Sequence, residues 1–277
     1  MDKESLLQIN ALLSREEVHQ IDGGDAAMRR IAVEWILRAT NRNGFPISAA
    51  ILAVNYLDRF ARCSKNGKPW LARLTAVACL SIAAKIEEEK PPVLIDLQME
   101  DAGIFEPETV RKMEIVVLST LDWRMRPVTA LKFVHCFIAG IELNDILSVE
   151  VSRRCEEVFL AMLTDHRFTR FAPSVLAASA MCHVVNGKWK RGSEFEIQLM
   201  GTLKIEKRQY EDCLILIGQL LSNKRRLVMA EPPRTPDGVV DMSFNGDDDD
   251  ELVDLSSQPS TWKRAKTNTA DSDMDPI

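Results

Sequence analysis

The chain has 277 residues, 46% of them apolar and 27% charged, with 12 glycines, 12 prolines and a formal net charge of −6. That length allows one or two domains with ample apolar material for a core, and the glycine and proline content excludes collagen-like and low-complexity designs. The charge is unevenly placed: 12 acidic and 4 basic residues lie from Ala230 onward, a balance of −8, which leaves residues 1–229 at +2.

The opening stretch, MDKESLLQIN, has no basic region followed by an apolar run, and no uninterrupted apolar stretch reaches the length of about 18 residues that a membrane span needs. Residues 1–24 read as a polar N-terminal segment ending in the turn signal Asp22-Gly23-Gly24. A helix is expected over 25–43, with Met28, Ile31, Trp35, Ile36 and Ala39 at helical spacing and Asn43-Gly44 as its stop. Pro46 and Ser48 open a second helix over 49–63, and after a polar loop Pro69 starts a third reaching Glu89. Leu74, Ala76, Val77, Ala78, Leu80, Ile82, Ala83 and Ala84 leave this third helix almost no polar face, so it should be buried on all sides. Pro91-Pro92 stop it, and a short helix over 93–98 and a longer one over 107–121 complete a five-helix unit.

The pattern then repeats. Helices are expected over 128–141, 145–166, 174–185, 194–201 and 206–222, and the third again carries an alanine-rich run, Val175 to Ala180. No stretch alternates with the period of a strand. The fold class is therefore all-α, two five-helix units in tandem: 25–126 and 127–226, after the N-terminal segment 1–24. Residues 230–277, with Pro232-Pro233, the acidic run 247–251 and a Ser/Thr/Pro/Asp-rich end, read as a disordered acidic tail.

No catalytic signature is present: no glycine-rich phosphate loop, no HExxH, no Gly-x-Ser-x-Gly elbow. The six cysteines stand at 63, 79, 136, 155, 182 and 213, spaced for neither a zinc ribbon nor a redox pair. His135-Cys136 and Cys182-His183 fall in apolar helical runs and read as core. The expectation is a soluble intracellular protein that is not an enzyme, holds no metal or cofactor, and works through binding surfaces.

Charged residues embedded in apolar runs are the informative ones. Lys85 follows Ile82-Ala83-Ala84, Glu114 precedes Ile115-Val116-Val117-Leu118, and Arg29 and Asp58 lie within the first two helices. A buried charge is costly unless it is paired or reaches a partner. Any one of the four by itself also fits the polar edge of its helix.

In these residues the chain resembles the cyclin family. Met28-Arg29-Arg30-Ile31-Ala32-Val33-Glu34-Trp35 is similar to the opening of a cyclin box, and Asn55-Tyr56-Leu57-Asp58-Arg59-Phe60 to its second helix. Ala83-Ala84-Lys85-Ile86-Glu87-Glu88 and Arg111-Lys112-Met113-Glu114 resemble the third and fifth helices. The family's shared positions map onto Arg29, Asp58, Leu74, Lys85 and Glu114, and the likeness extends over roughly 1–225, with a D-type plant flavour in Trp123-Arg124-Met125 and Pro127-Val128-Thr129.

The resemblance implies two tandem cyclin boxes and a partner, the catalytic subunit of a cyclin-dependent kinase, bound and activated at the start of the division cycle (G1/S). It implies that Lys85 and Glu114 hydrogen-bond the kinase near its αC helix, and that Ile82, Ile86, Leu118 and Trp123 line the groove receiving that helix. Trp123 also fits a core position. It further implies a substrate-docking patch at Met28, Ile31 and Trp35 that takes Arg-x-Leu motifs, with core packing of Ile31 and Trp35 as the rival, and structural roles for Arg29 and Asp58. Two departures stand out. Ala32 and the basic Arg38 replace a larger aliphatic and an acid at the patch, which should weaken attraction for a basic motif. Residues 1–62 contain no cysteine, so the N-terminal Leu-x-Cys-x-Glu motif of plant D-type members, which engages retinoblastoma-related protein, is not seen.

Retinoblastoma-related protein and kinase inhibitors are further partners that the family implies. In the tail, Thr235-Pro236 is a minimal phosphosite and Lys263-Arg264-Ala265-Lys266 a small basic cluster suited to nuclear import, hence an expectation of nucleus and cytoplasm. The rival reading is a TFIIB-type tandem cyclin fold that binds DNA. A body at only +2, with scattered basic residues, argues against direct nucleic-acid or membrane contact.

Overall fold

A computed structural model describes residues 3–21, 26–63, 68–88, 98, 105–140, 145–186 and 192–230. In chain order the helices are α1 (Lys3–Leu13), α2 (Ala26–Asn43), α3 (Ile47–Cys63), α4 (Pro69–Glu87), α5 (Pro107–Thr120), α6 (Ala130–Ala139), α7 (Asp145–Leu163), α8 (Pro173–Asn186), α9 (Gly192–Leu203) and α10 (Lys207–Ala230). A 3-10 turn, His166–Arg170, sits between α7 and α8. No strand occurs among the described residues, and the all-α expectation stands.

Two cores organise these helices. The first gathers around α4, which packs against α2, α3 and α5. Residues 74–84 of α4 are all buried, because alanine at 76, 78, 83 and 84 lets neighbouring backbones come close while Leu74, Leu80 and Ile82 fill the gaps. By length and composition α4 would also cross a membrane; here it is the protein-covered centre of the first core. The second core gathers around α8, packed against α6, α7, α9 and α10, with Ala177, Ala178 and Ala180 fully buried. Leu163, at the end of α7, packs against both cores.

The structure corrects the reading of 1–24 as a plain polar segment. Residues 3–13 form a helix whose Ile9 is fully buried in the second core, with Leu12 and Leu13 packed beside it. After α1 the chain becomes a strap. Glu16 accepts hydrogen bonds at 3.0 Å from the Ser174 amide and hydroxyl, which satisfies a free N–H in the first turn of α8. The Ile21 amide donates to Thr169 Oγ1 at 3.0 Å, and Arg62 of α3 contacts His19 Nδ1 at 3.1 Å. The N-terminal stretch thus ties the second core to the first.

Smaller differences have local causes. The helix expected to reach His166 ends at Leu163, since Asp165 accepts from the Arg167 amide at 2.9 Å and starts the 3-10 turn. The last helix runs on to Ala230. His135, read as core, is exposed; Cys136 is half-buried with Gln8 of α1 at 3.6 Å. The expected helix over 93–98 lies outside the described residues except for Gln98, and the tail 230–277, with Thr235, lies outside them beyond Ala230.

Candidate functional site

The four embedded charges form two ion pairs, each joining positions 29 residues apart. Arg29 of α2 and Asp58 of α3 meet in a buried two-pronged bond, Nε to Oδ1 at 2.7 Å and Nη2 to Oδ2 at 3.0 Å. Arg29 Nη1 also donates to the Leu163 carbonyl at 2.8 Å. That carbonyl is one of the orphan acceptors at the C-terminus of α7, where a cation also suits the helix dipole. Burial pushes the Asp58 carboxyl above its usual range, against the pull and hydrogen bonds of Arg29. Such a pair adds little net stability, but it fixes how α2, α3 and the end of α7 meet.

The second pair is placed differently. Lys85, in the last turn of α4, holds both carboxylate oxygens of Glu114 on α5, at 2.7 and 2.6 Å. The Lys85 side chain is 43% exposed and that of Glu114 10%. An ammonium carries three donors and a carboxylate about four lone-pair sites, so each group keeps bonding capacity beyond its partner. The pair stands in a cleft of about 810 Å3, whose wall includes Ile82, Ile86, Leu118 and Trp123. The structure brings together all six residues assigned to the kinase groove.

Trp123 is not a core residue: it is 67% exposed. The backbone explains why. At the end of α5 the Asp122 amide donates to the Ser119 carbonyl at 3.3 Å, and the Trp123 amide to the Leu118 carbonyl at 3.0 Å. This is a Schellman turn with aspartate in the left-handed position that glycine usually takes. Asp122 and Trp123 both have positive φ, 50° and 58°, at a cost of about 1–2 kcal/mol for each such residue. Strain of this kind persists only where the surroundings over-determine it. Here two side chains of α3 do so. The Tyr56 hydroxyl donates to the Met125 carbonyl at 2.5 Å, and Arg59 donates to the carbonyls of Arg124 (2.7 Å) and Leu121 (3.5 Å). Burial raises the Tyr56 pKa, so the phenol keeps the proton it donates. The Tyr56-Leu57-Asp58-Arg59 motif therefore places one polar group on Arg29 and two on the Trp123 segment.

The docking patch is only partly assembled. Ile31 is 47% exposed and Met28 half-buried, but Trp35 is 3% exposed and belongs to the first core. Trp35 thus takes the core alternative rather than the docking one, because the α2 face that carries it packs into the first core. Arg38 is exposed on the same helix.

The strap residues Arg15, Glu17 and His19 also line the cleft and were not foreseen. Their signal was Leu6, Ile9 and Leu13, whose helical spacing could have announced α1. Among the described residues no three His, Cys, Asp or Glu side chains gather as a metal site. The buried thiols are held protonated, Cys155 pushed up to about 12 and Cys182 and Cys213 to about 11, chiefly by burial.

Comparison with known proteins agrees with this architecture. The family model "Cyclin, N-terminal domain" matches residues 5–126 and "Cyclin, C-terminal domain" residues 128–230. Cyclin-D3-3 of Arabidopsis thaliana is 39% identical over 244 residues, covering 84% of this chain and 68% of the relative. Cyclin-D3-2 of the same plant is 38% identical over 225 residues, covering 80% and 61%. The chain thus spans roughly two thirds of the length of these relatives. Among solved structures, a viral cyclin from herpesvirus saimiri superposes with a TM-score of 0.66 at 16% identity, over 81% of this chain and 98% of that one. The two helical cores and these matches lead to one conclusion: the chain belongs to the cyclin family, and D-type cyclins of plants are among its relatives.

Proposed function

We propose that this chain is a regulatory subunit of a cyclin-dependent protein kinase, and that it activates the kinase by seating its αC helix in the cleft between α4 and α5. A protein kinase is active when a glutamate of αC pairs with the lysine of strand β3. A partner that binds the inward position of αC better than the displaced one shifts the kinase toward activity by that difference in affinity. The observation that carries the reading is the Lys85–Glu114 pair standing beside an exposed Trp123 that the fold holds at a cost in backbone strain. Ile82, Ile86, Leu118 and Trp123 supply apolar contact, while the pair's spare donor and lone pairs meet the partner's backbone and set register.

The finer parts of the proposal are control of G1/S entry, action on retinoblastoma-related protein, response to kinase inhibitors, and residence in nucleus and cytoplasm. Docking of substrates falls to Met28 and Ile31, with Arg38 selecting against basic Arg-x-Leu peptides; Arg38→Glu should strengthen binding of such a peptide, and no gain would refute that role. The test of the main reading is co-purification of the full chain with a panel of cyclin-dependent kinases, followed by a phosphorylation assay. Recovery of a kinase whose activity depends on the chain is expected. Failure to bind or stimulate any of them would overturn the proposal.

A further inference from the structure

We propose that the cleft also reads charge: the rim formed by Arg15, Arg124 and Arg126 binds an acidic stretch of the kinase partner that flanks the helix seated on Trp123. The inference rests on the kinase-subunit reading above and adds to it the chemistry of the segment beside the helix.

The charges of the cleft do not balance. Among the described residues, Arg15, Arg59, Lys85, Arg124 and Arg126 line it against two carboxylates, Glu17 and Glu114. Glu114 is taken by Lys85, and Glu17 lies 3.7 Å from His19. Arg59 spends its guanidinium on the carbonyls beneath the Trp123 segment. Arg15, Arg124 and Arg126 are exposed, and among the described residues no carboxylate comes within 4.0 Å of any of them.

Arg15 and Arg126 both act on Lys132, which donates to the Pro127 carbonyl at 2.9 Å: burial chiefly lowers its pKa, Glu87 raises it, and the two arginines lower it. His19 is lowered by burial first and then by Arg59, with Glu17 opposing. Like charges so gathered repel, and an oppositely charged partner relieves that repulsion while being steered toward the site.

Continuity says where the acidic stretch must lie. Trp123, Arg124, Met125 and Arg126 are consecutive, and Tyr56 and Arg59 hold their backbone as one piece. A helix seated on Trp123 brings its flanking segment over Arg124 and Arg126, and Arg15 reaches the same cleft from the strap.

The test is the association of the full chain with the cyclin-dependent kinase that it activates, followed by stopped flow between about 0.01 and 0.15 M salt, where the screening length shortens from about 30 to 8 Å. Arg124→Glu/Arg126→Glu should associate about 10-fold or more slowly at low salt and lose most of the salt dependence, with helical content and Tm as in the wild type. Lys85→Ala/Glu114→Ala should lose activation yet keep a salt-dependent encounter. An unchanged rate and salt slope in the arginine variant would overturn the inference and leave the kinase reading intact. A wild-type chain that binds no kinase would overturn both. Binding of a DNA duplex at 0.15 M salt as tight as that of the kinase would assign the rim to nucleic acid and overturn the inference.

Discussion

Replacing Arg29 by methionine isolates what the buried pair contributes. The substitution keeps most of the volume but leaves Asp58 buried with no cation and the Leu163 carbonyl with no donor from Arg29. Removing one member of a buried pair costs about 3–5 kcal/mol, and that cost should depend on pH. An unpaired carboxyl at the Asp58 site takes up a proton in the folded state, while in the unfolded chain it stays ionised above its ordinary pKa of about 3.9. The folded state then binds the extra proton, so stability falls as pH rises, by about 1.4 kcal/mol per pH unit. Between pH 5 and 7 the variant should therefore lose stability more steeply with rising pH than the wild type, in which Arg29 pulls the Asp58 carboxyl back toward ionisation. The assay is denaturant unfolding followed by circular dichroism at pH 5, 6 and 7. Arg29→Met/Asp58→Leu, which removes both charges, should recover to within about 1–2 kcal/mol of the wild type and lose the pH slope. A single variant with a pH-independent loss, or a double variant as unstable as the single, would refute the reasoning.

Other outcomes follow from the same geometry. Tyr56→Phe removes one hydrogen bond, about 1 kcal/mol, from the clamp on the strained Trp123 segment; global stability should fall by no more than that, while Trp123 fluorescence becomes more solvent-quenched and kinase affinity drops several-fold. Unchanged fluorescence would mean that Arg59 and the Schellman turn suffice. Ile9→Ala should cost about 2–4 kcal/mol by opening a cavity in the second core, and a loss below about 0.5 kcal/mol would show that α1 is dispensable. His19 is held neutral in the fold, so the unfolded chain binds the extra proton below pH 6.5 and stability falls as pH drops through that value toward the lowered folded pKa. His19→Gln should flatten that part of the Tm profile, and an unaltered profile would contradict the assignment.

The architecture was legible where physical constraints act locally. Pro69, Pro107 and Pro173 mark the starts of α4, α5 and α8, and the alanine-rich apolar runs identify the two central helices. Their lack of a polar face asks for cover on all sides. Arg29, Asp58, Lys85 and Glu114 stood out because charges within apolar runs demand partners, but the pairing itself is three-dimensional. Nothing within α2 states that Arg29 meets Asp58 and the end of α7. Trp123 was ambiguous for a similar reason. An aromatic residue after an apolar helix usually folds back on the core, and here two left-handed residues and the Tyr56 and Arg59 bonds turn it outward. The N-terminal helix α1 escaped notice because its few apolar residues stand in a polar composition, although Ile9 is fully buried. Near-neutral charge over residues 1–229 likewise concealed the basic rim. The cations Arg15, Arg124 and Arg126 are far apart in sequence or at a helix end, and the fold gathers them.

The central claim is that the Lys85–Glu114 pair and the groove beside it grip a kinase. Its most direct test is the phosphorylation rate of the purified cyclin-dependent kinase with the full chain or with Lys85→Ala/Glu114→Ala. Removing both charges together leaves neither one orphaned, so the variant should keep its helical content and unfold within about 1 kcal/mol of the wild type. It should fail to activate the kinase at concentrations that saturate the wild type. A folded double variant that activates the kinase as well as the wild type would contradict the account.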